Sequence, residues 1–285
     1  MAAARVRKLT RRDIALAIRL TDLESWGYTR PDFERLLSLE PKGCFLAELD
    51  GKRVGITSST VYGPLAFVGA VIVDPRVRGK GVGDTLLRAT LDYLDSRGVK
   101  TVRLNAYLNV VPFYERLGFR GEYENSRYGG RLTASGGKPE GVRPLRRADL
   151  PGLADLDAPL FGARRADLLR RLAREFPRSF FVAHSGGSPI GFIVGNPSAG
   201  SCEIGPWVVD PRHADAASAL LHALVSRLRP KEIALSVPKA NTREARMARE
   251  LRLQEAFRTL RMFRGRRAYK GNPEGIFAMA GLEKG

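Results

Sequence analysis

The chain repeats itself once. Near its start it reads Val6-Arg7-Lys8-Leu9-Thr10-Arg11-Arg12-Asp13-Ile14, and later Val142-Arg143-Pro144-Leu145-Arg146-Arg147-Ala148-Asp149-Leu150. The displacement that carries Val6 onto Val142 also carries Phe45, Ala47, Gly51, Val54 and Gly55 onto Phe181, Ala183, Gly187, Ile190 and Gly191. It carries Val73-Asp74-Pro75-Arg76 onto Val209-Asp210-Pro211-Arg212 as well. One displacement held over so long a stretch marks a folded unit present twice. The 285 residues suit two domains. The repeat sets them at 1–134 and 142–285, joined by the linker Ser135-Gly136-Gly137-Lys138-Pro139-Glu140-Gly141.

Local signals give the unit an α/β character. Thr10 followed by Asp13 resembles a helix cap, and Pro31 suits the first turn of a helix. Asp50-Gly51 between Cys44–Leu49 and Val54–Tyr62 predicts a hairpin. Leu65–Val73 reads as a buried strand. A helix follows over Val82–Ser96, with Leu86, Ala89 and Tyr93 as its core stripe. Val99–Asn105 is a further strand, and Val110–Leu117 a short helix closed by Gly118. Hairpins first and helices later predict a mixed sheet with helices on its faces, an α+β arrangement within the α/β class.

The stretch that carries chemistry is Val73-Asp74-Pro75-Arg76-Val77-Arg78-Gly79-Lys80-Gly81-Val82-Gly83. It runs from a strand through glycines into a helix start. Glycines let the backbone approach a ligand, and successive N–H groups with the helix dipole make an anion site. Arg78 and Lys80 add positive charge, so a pyrophosphate is the expected guest. The loop is not a Walker A loop, because Gly81 and not Ser or Thr follows Lys80. It is not a dinucleotide fingerprint either, because Asp84 stands where the third glycine belongs.

Arg78-Gly79-Lys80-Gly81-Val82-Gly83 resembles the coenzyme A loop of the GNAT N-acetyltransferase superfamily. Pro112-Phe113-Tyr114-Glu115-Arg116-Leu117-Gly118-Phe119 is similar to that family's second signature. The resemblance is close in the first copy and fainter in the second, which makes the chain look like a tandem GNAT protein. It implies a catalytic first copy whose backbone at Arg78, Gly79, Lys80, Gly81, Val82 and Gly83 holds the pyrophosphate of acetyl-CoA. It implies that main chain at Val71 and Val73 pairs with the pantetheine arm, with Asn109 or Asn105 as a further partner. Tyr114 matches the tyrosine that protonates the departing thiolate; packing beside Phe113 and Phe119 is its structural alternative. The expected reaction is direct acyl transfer to a primary amine of a small molecule or peptide. A general base is needed, yet Leu65–Val73 holds no acid or histidine. Glu24, Asp32 and Glu40 are weak candidates, as is Asp74, and Trp26 lines either the acceptor pocket or the core.

The second copy reads Val209-Asp210-Pro211-Arg212-His213-Ala214-Asp215-Ala216-Ala217. The loop glycines and the Arg-Lys pair are gone, and Asp215 brings the wrong charge for a phosphate. Near Met247-Ala248-Arg249 no tyrosine replaces Tyr114. This copy is expected to be degenerate.

Composition narrows the remaining classes. Only two cysteines, Cys44 and Cys202, exclude a disulfide framework and suit a reducing cytoplasm. Three histidines without zinc spacing give no metal site. The longest apolar run, Leu65–Val73, falls far short of the ~20 residues a membrane helix needs. A net charge of +18 keeps two alternatives in view: a coenzyme A sensor without turnover, and a basic nucleic-acid-binding module. The stretch Arg258, Arg261, Arg264, Arg266, Arg267 and Lys270 resembles a nucleic-acid patch in composition, but Phe257–Phe263 reads better as a half-buried strand with its arginines outward. Oligomeric state leaves no trace in the sequence.

Overall fold

The computed structural model describes residues 4–132, 141–198 and 201–285. The predicted linker therefore lies outside the described residues, except for Gly141. The chain packs as two compact units: one up to Leu104 together with Lys284, the other from Asn105 to Glu283 together with Gly285.

In the first unit β1 (Arg5–Lys8) leads through a short 3-10 turn into α1 (Ile14–Asp22). The predicted cap is present: Asp13 accepts from the Thr10 backbone N–H at 3.0 Å and from its hydroxyl at 2.8 Å. α2 (Arg30–Leu39) starts with the same device at Thr29 and Asp32, with Pro31 in the first turn. β2 (Phe45–Leu49), β3 (Lys52–Tyr62) and β4 (Leu65–Val73) form an antiparallel meander. α3 (Val82–Ser96) then crosses over to β5 (Thr101–Tyr107), which starts parallel to β4. The sheet order is β1-β2-β3-β4-β5.

Helices cover both faces. Ile14, Phe33 and Leu36 of the α1–α2 layer pack on Leu46, Ile56 and Ile72. Val82 and Leu86 of α3 pack on Phe45, Ala47 and Val54. The buried stripe of α3 is Leu86, Leu87, Thr90, Leu91 and Leu94. Ala89 and Tyr93, predicted for it, are only partly buried, because the helix is rotated to put its leucines on the sheet. Each leucine so buried contributes about 1.5–3 kcal/mol.

The second unit opens with α4 (Val111–Glu115) and β6 (Arg120–Gly130). The second copy follows: β7 (Val142–Pro144), α5 (Leu150–Phe161), α6 (Ala166–Glu175), β8 (Phe180–Ser185), β9 (Ser188–Ser198) and β10 (Ser201–Val209). It ends with α7 (Ala216–Leu228), β11 (Glu232–Pro238), α8 (Glu244–Glu250), β12 (Gln254–Gly265) and β13 (Ile276–Ala278). The repeat is visible in single bonds: Arg7 pairs with Asp13 at 2.9 Å, and Arg143 with Asp149 at 2.7 Å.

The sheet order here is β12-β6-β11-β10-β9-β8-β7, with β13 on β10. By sequence β6 ends the first copy, yet it lies between β11 and β12 of the second. In turn β12 meets the end of β5: the Tyr107 and Phe257 rings are 5.1 Å apart, and Arg261 Nε donates to Asn105 Oδ1 at 3.4 Å. The copies have exchanged their last long strands. This places the packing boundary at Leu104, whereas the sequence repeat divides at the linker. Arg261, expected outward on β12, is only 6% exposed; it donates to Tyr123 Oη at 2.6 Å and to Met279 Sδ at 3.0 Å. Arg258 does face outward, paired with Glu255.

Candidate active site

β4 bends before it reaches the glycine loop. Ile56 opposes Ile72, but Ser58 opposes Gly69, so Ala70 and Val71 together face Thr57. This is a β-bulge, with Ala70 in the left-handed region at φ +47°. A non-glycine there costs about 1–2 kcal/mol. β4 pairs with β5 only from Leu65 to Phe67. Beyond the bulge no described strand pairs with that edge of β4, so the two parallel strands splay apart. Val71 and Val73, the predicted pantetheine partners, lie on the splayed segment and are partly exposed. Sequence reasoning missed the bulge; Gly69-Ala70 inside an apolar run was its only signal.

After β4 the chain is hooked by Asp74. Its carboxylate accepts from the Arg76 backbone N–H at 3.0 Å and from the Arg76 guanidinium at 2.6 Å. These bonds hold the carboxyl down to about 2. A base so weak cannot deprotonate an amine near neutral pH, so Asp74 is part of the turn.

The loop then turns left-handed twice, at Gly79 (φ +77°) and Gly81 (φ +78°). A side chain at either position would meet nothing within 4 Å, so open space lies above both. Glycine is needed here for its backbone angle, not to avoid a clash. The Arg78 N–H bonds Pro75 O, and the Thr85 N–H bonds Gly81 O. Between them the N–H groups of residues 79–84 have no partner among the described residues. Six such donors at the start of a fifteen-residue helix, flanked by Arg78 and Lys80, fit a pyrophosphate in number and sign.

The remaining candidates divide between the units. In the first, Glu24 pairs with Arg78 at 2.5 Å. Asp32 serves the α2 cap and Arg35, and stays below its ordinary value despite burial because of the Thr29 bonds. Glu40 is buried, accepting from Tyr93 Oη at 2.5 Å and pairing with Arg97 at 3.3 Å. Trp26 packs against the α1–α2 core. In the second, Tyr114 is 8% exposed, with Phe113 at 5.0 Å and Phe119 at 6.0 Å, and burial pushes its phenol well above 10. Asn109 is exposed. Asn105 is engaged, donating to Leu282 O at 2.6 Å and accepting from Asn125 at 3.0 Å.

The second copy keeps the hook and loses the loop. Asp210 accepts from the Arg212 backbone N–H at 3.0 Å and its guanidinium at 2.6 Å. The chain then enters α7 through Ala214 (φ −55°) and Asp215 (φ −64°), with no left-handed step. β10 bulges at the matching place, between Ile204 and Trp207, after pairing with β11 over Ser201–Ile204. There β13 fills the splay: Trp207 opposes Ala278 and Val208 opposes Ile276, while the Met279 N–H reaches Ser236 O of β11 at 2.9 Å. The fit is tight, since a Cβ on Gly205 would lie 1.8 Å from Met279 O.

Comparison with known proteins agrees with this architecture. The acetyltransferase (GNAT) family profile matches residues 14–119, and an acetyltransferase (GNAT) domain profile matches residues 153–278. The chain belongs to the GNAT acetyltransferases and carries two such domains, which makes it an acyltransferase. It is 26% identical to holothin acyltransferase of Pseudoalteromonas sp. over 92% of this chain and 88% of that protein. It is 33% identical to a mycothiol acetyltransferase of Acidimicrobium ferrooxidans, but over only 36% of this chain and 38% of that relative. A Pyrococcus horikoshii protein described provisionally as an acetyltransferase shares the fold at TM-score 0.84, with 23% identity over 100% of this chain and 97% of that one.

Proposed function

We propose that the first copy transfers an acetyl group from acetyl-CoA to a primary amine of a small molecule, by direct attack within a ternary complex. The observation that carries this reading is the loop of residues 78–83. Two left-handed glycines and a run of unpartnered N–H groups follow a strand splayed from its neighbour. Bound there, acetyl-CoA supplies an activated thioester. The N–H groups of Gly79 to Gly83 hold its diphosphate, with Arg78 and Lys80 beside them. Main chain at Val71 and Val73 aligns its arm, and an N–H on that segment polarises the acyl oxygen. Tyr114, kept protonated by its apolar surroundings, gives its proton to the departing thiolate. Of the two asparagines Asn109 is the favoured pantetheine partner, because it is exposed and Asn105 is already engaged. The small-molecule acceptor is supported by relatives named for holothin and mycothiol.

A second reading, coenzyme A sensing without turnover, is favoured by one observation: Glu24, Asp32, Glu40 and Asp74 are all occupied in ion pairs. Thiol release from acetyl-CoA across a panel of small amines separates the readings. Amine-dependent release supports transfer. Tight coenzyme A binding without release on any amine supports sensing.

A further inference from the structure

The guanidinium of Arg78 is held at two points. Its Nε donates to Val73 O at 3.0 Å, which fixes it over the exit of β4. Its Nη2 meets Glu24 Oε1 at 2.5 Å. Glu24 sits in the connection between α1 and α2, a turn that closes on itself. There the Ser25 N–H bonds Asp22 O at 3.0 Å and the Trp26 N–H bonds Thr21 O at 3.2 Å. Ser25 (φ +55°) and Gly27 (φ +68°) are both left-handed in it. A serine is held in a conformation that costs side-chain-bearing residues free energy, and the turn thereby presents a carboxylate to the phosphate loop. Nothing about folding the loop requires that carboxylate: Asp74 and Arg76 already hook it, and the second copy keeps the same hook.

We infer that Glu24 is an internal counter-ion occupying the place of the incoming diphosphate on Arg78, and that cofactor binding releases the α1–α2 connection. The inference rests on the reading of the loop as a coenzyme A site. A carboxylate and a diphosphate oxygen are chemically alike toward a guanidinium, each offering anionic acceptors to the same N–H groups. Arg78 Nη2 cannot serve both at full strength. The arriving diphosphate brings more charge and finds the backbone donors of residues 79–84 besides, so it wins. Glu24 then loses its partner beside an anion, and repulsion moves it away. The thermodynamic consequence is reciprocal: whatever holds Glu24 on Arg78 weakens the cofactor, and the cofactor loosens the turn. Because the pair is 49% and 38% exposed, the effect is modest and falls with added salt.

The test is a double-mutant cycle read by calorimetry with coenzyme A as the titrant. Glu24→Gln tightens coenzyme A about two- to five-fold in the native background. In an Arg78→Gln background the same change has no effect, because the bond it breaks is already gone. Thermal melts confirm that each variant is folded. Unchanged or weaker binding in Glu24→Gln overturns the inference. An equal gain in both backgrounds also overturns it, since the effect is then the general field of one removed charge. If the unaltered protein binds no coenzyme A, the reading of the loop falls and the inference with it. If it binds and Glu24→Gln changes nothing, the inference falls alone.

Discussion

The two copies leave their fourth strand in the same way and then part. In each, an aspartate hooks the next turn through an Asp-Pro-Arg sequence with matching bonds: Asp74 to Arg76 in one, Asp210 to Arg212 in the other. In each, the strand bulges and splays from its parallel neighbour. The first copy then takes two left-handed steps at Gly79 and Gly81 and keeps its splay free of other described strands. The second runs into α7 in right-handed turns, and β13 occupies its splay. The difference separates what the fold needs from what a ligand needs. The hook and the bulge persist where the loop is gone, so they belong to the architecture. The glycines and the unpaired strand edge are found only in the first copy, where the proposed function puts the diphosphate and the extended arm.

The largest expected effect is at the loop itself. Gly81→Asp costs about 1–2 kcal/mol of stability for its left-handed angle, with no clash to add. The carboxylate it places beside the unpartnered N–H groups removes measurable coenzyme A binding in calorimetry. Retained affinity breaks the contrast, because the glycines are then incidental. Next in size, Tyr114→Phe lowers turnover by about 10²–10⁴ while coenzyme A affinity stays the same. An unchanged rate reduces Tyr114 to packing between Phe113 and Phe119.

The plug of the second copy is tested by removing its anchor. Phe277 is buried on β13, 5.3 Å from the Trp207 ring. Phe277→Ala destabilises the protein by about 3–5 kcal/mol in denaturant titrations, with no change in coenzyme A affinity. A shift in affinity would tie the plug to the first copy's site.

A smaller effect concerns the repeated Arg–Asp pair that opens each copy. Asp149 falls from its ordinary 3.8 to about 2 through its bonds to Arg143. A carboxylate with a lowered folded value adds stability above its unfolded pKa, and that stability is lost as pH falls through the folded one. Stability therefore declines between about pH 4 and pH 2, and Arg143→Gln flattens that part of the profile. Asp13 is lowered further by Arg7, so its loss falls at more acid pH still. The smallest effect is a null one: Asp215→Asn and His213→Ala leave coenzyme A affinity untouched, since the helix they introduce carries no loop.

Much of this was legible in the chain. Leu65–Val73 and Val82–Ser96 are bounded by turn residues, and the strand and helix occupy those limits. The cap at Thr10 and the helix start marked by Pro31 are local, so local sequence predicts them. Loss of the loop in the second copy could be read because it consists of residue types. The strand exchange could not be read: β6 and β12 carry similar half-polar patterns, and only tertiary pairing decides which neighbour each takes. The burial of Arg261 was hidden for the same reason, because its partners Tyr123 and Met279 arrive from distant segments. The bulge at Ala70 escaped because an alanine in a left-handed angle breaks the local rule that sequence reading depends on.

The claim at the centre is that one copy binds coenzyme A and the other is closed by its own strand. Calorimetric titration of the whole chain with coenzyme A tests it most directly. The account predicts one equivalent bound per chain, lost entirely in Gly81→Asp. No binding, or two equivalents per chain, would contradict it.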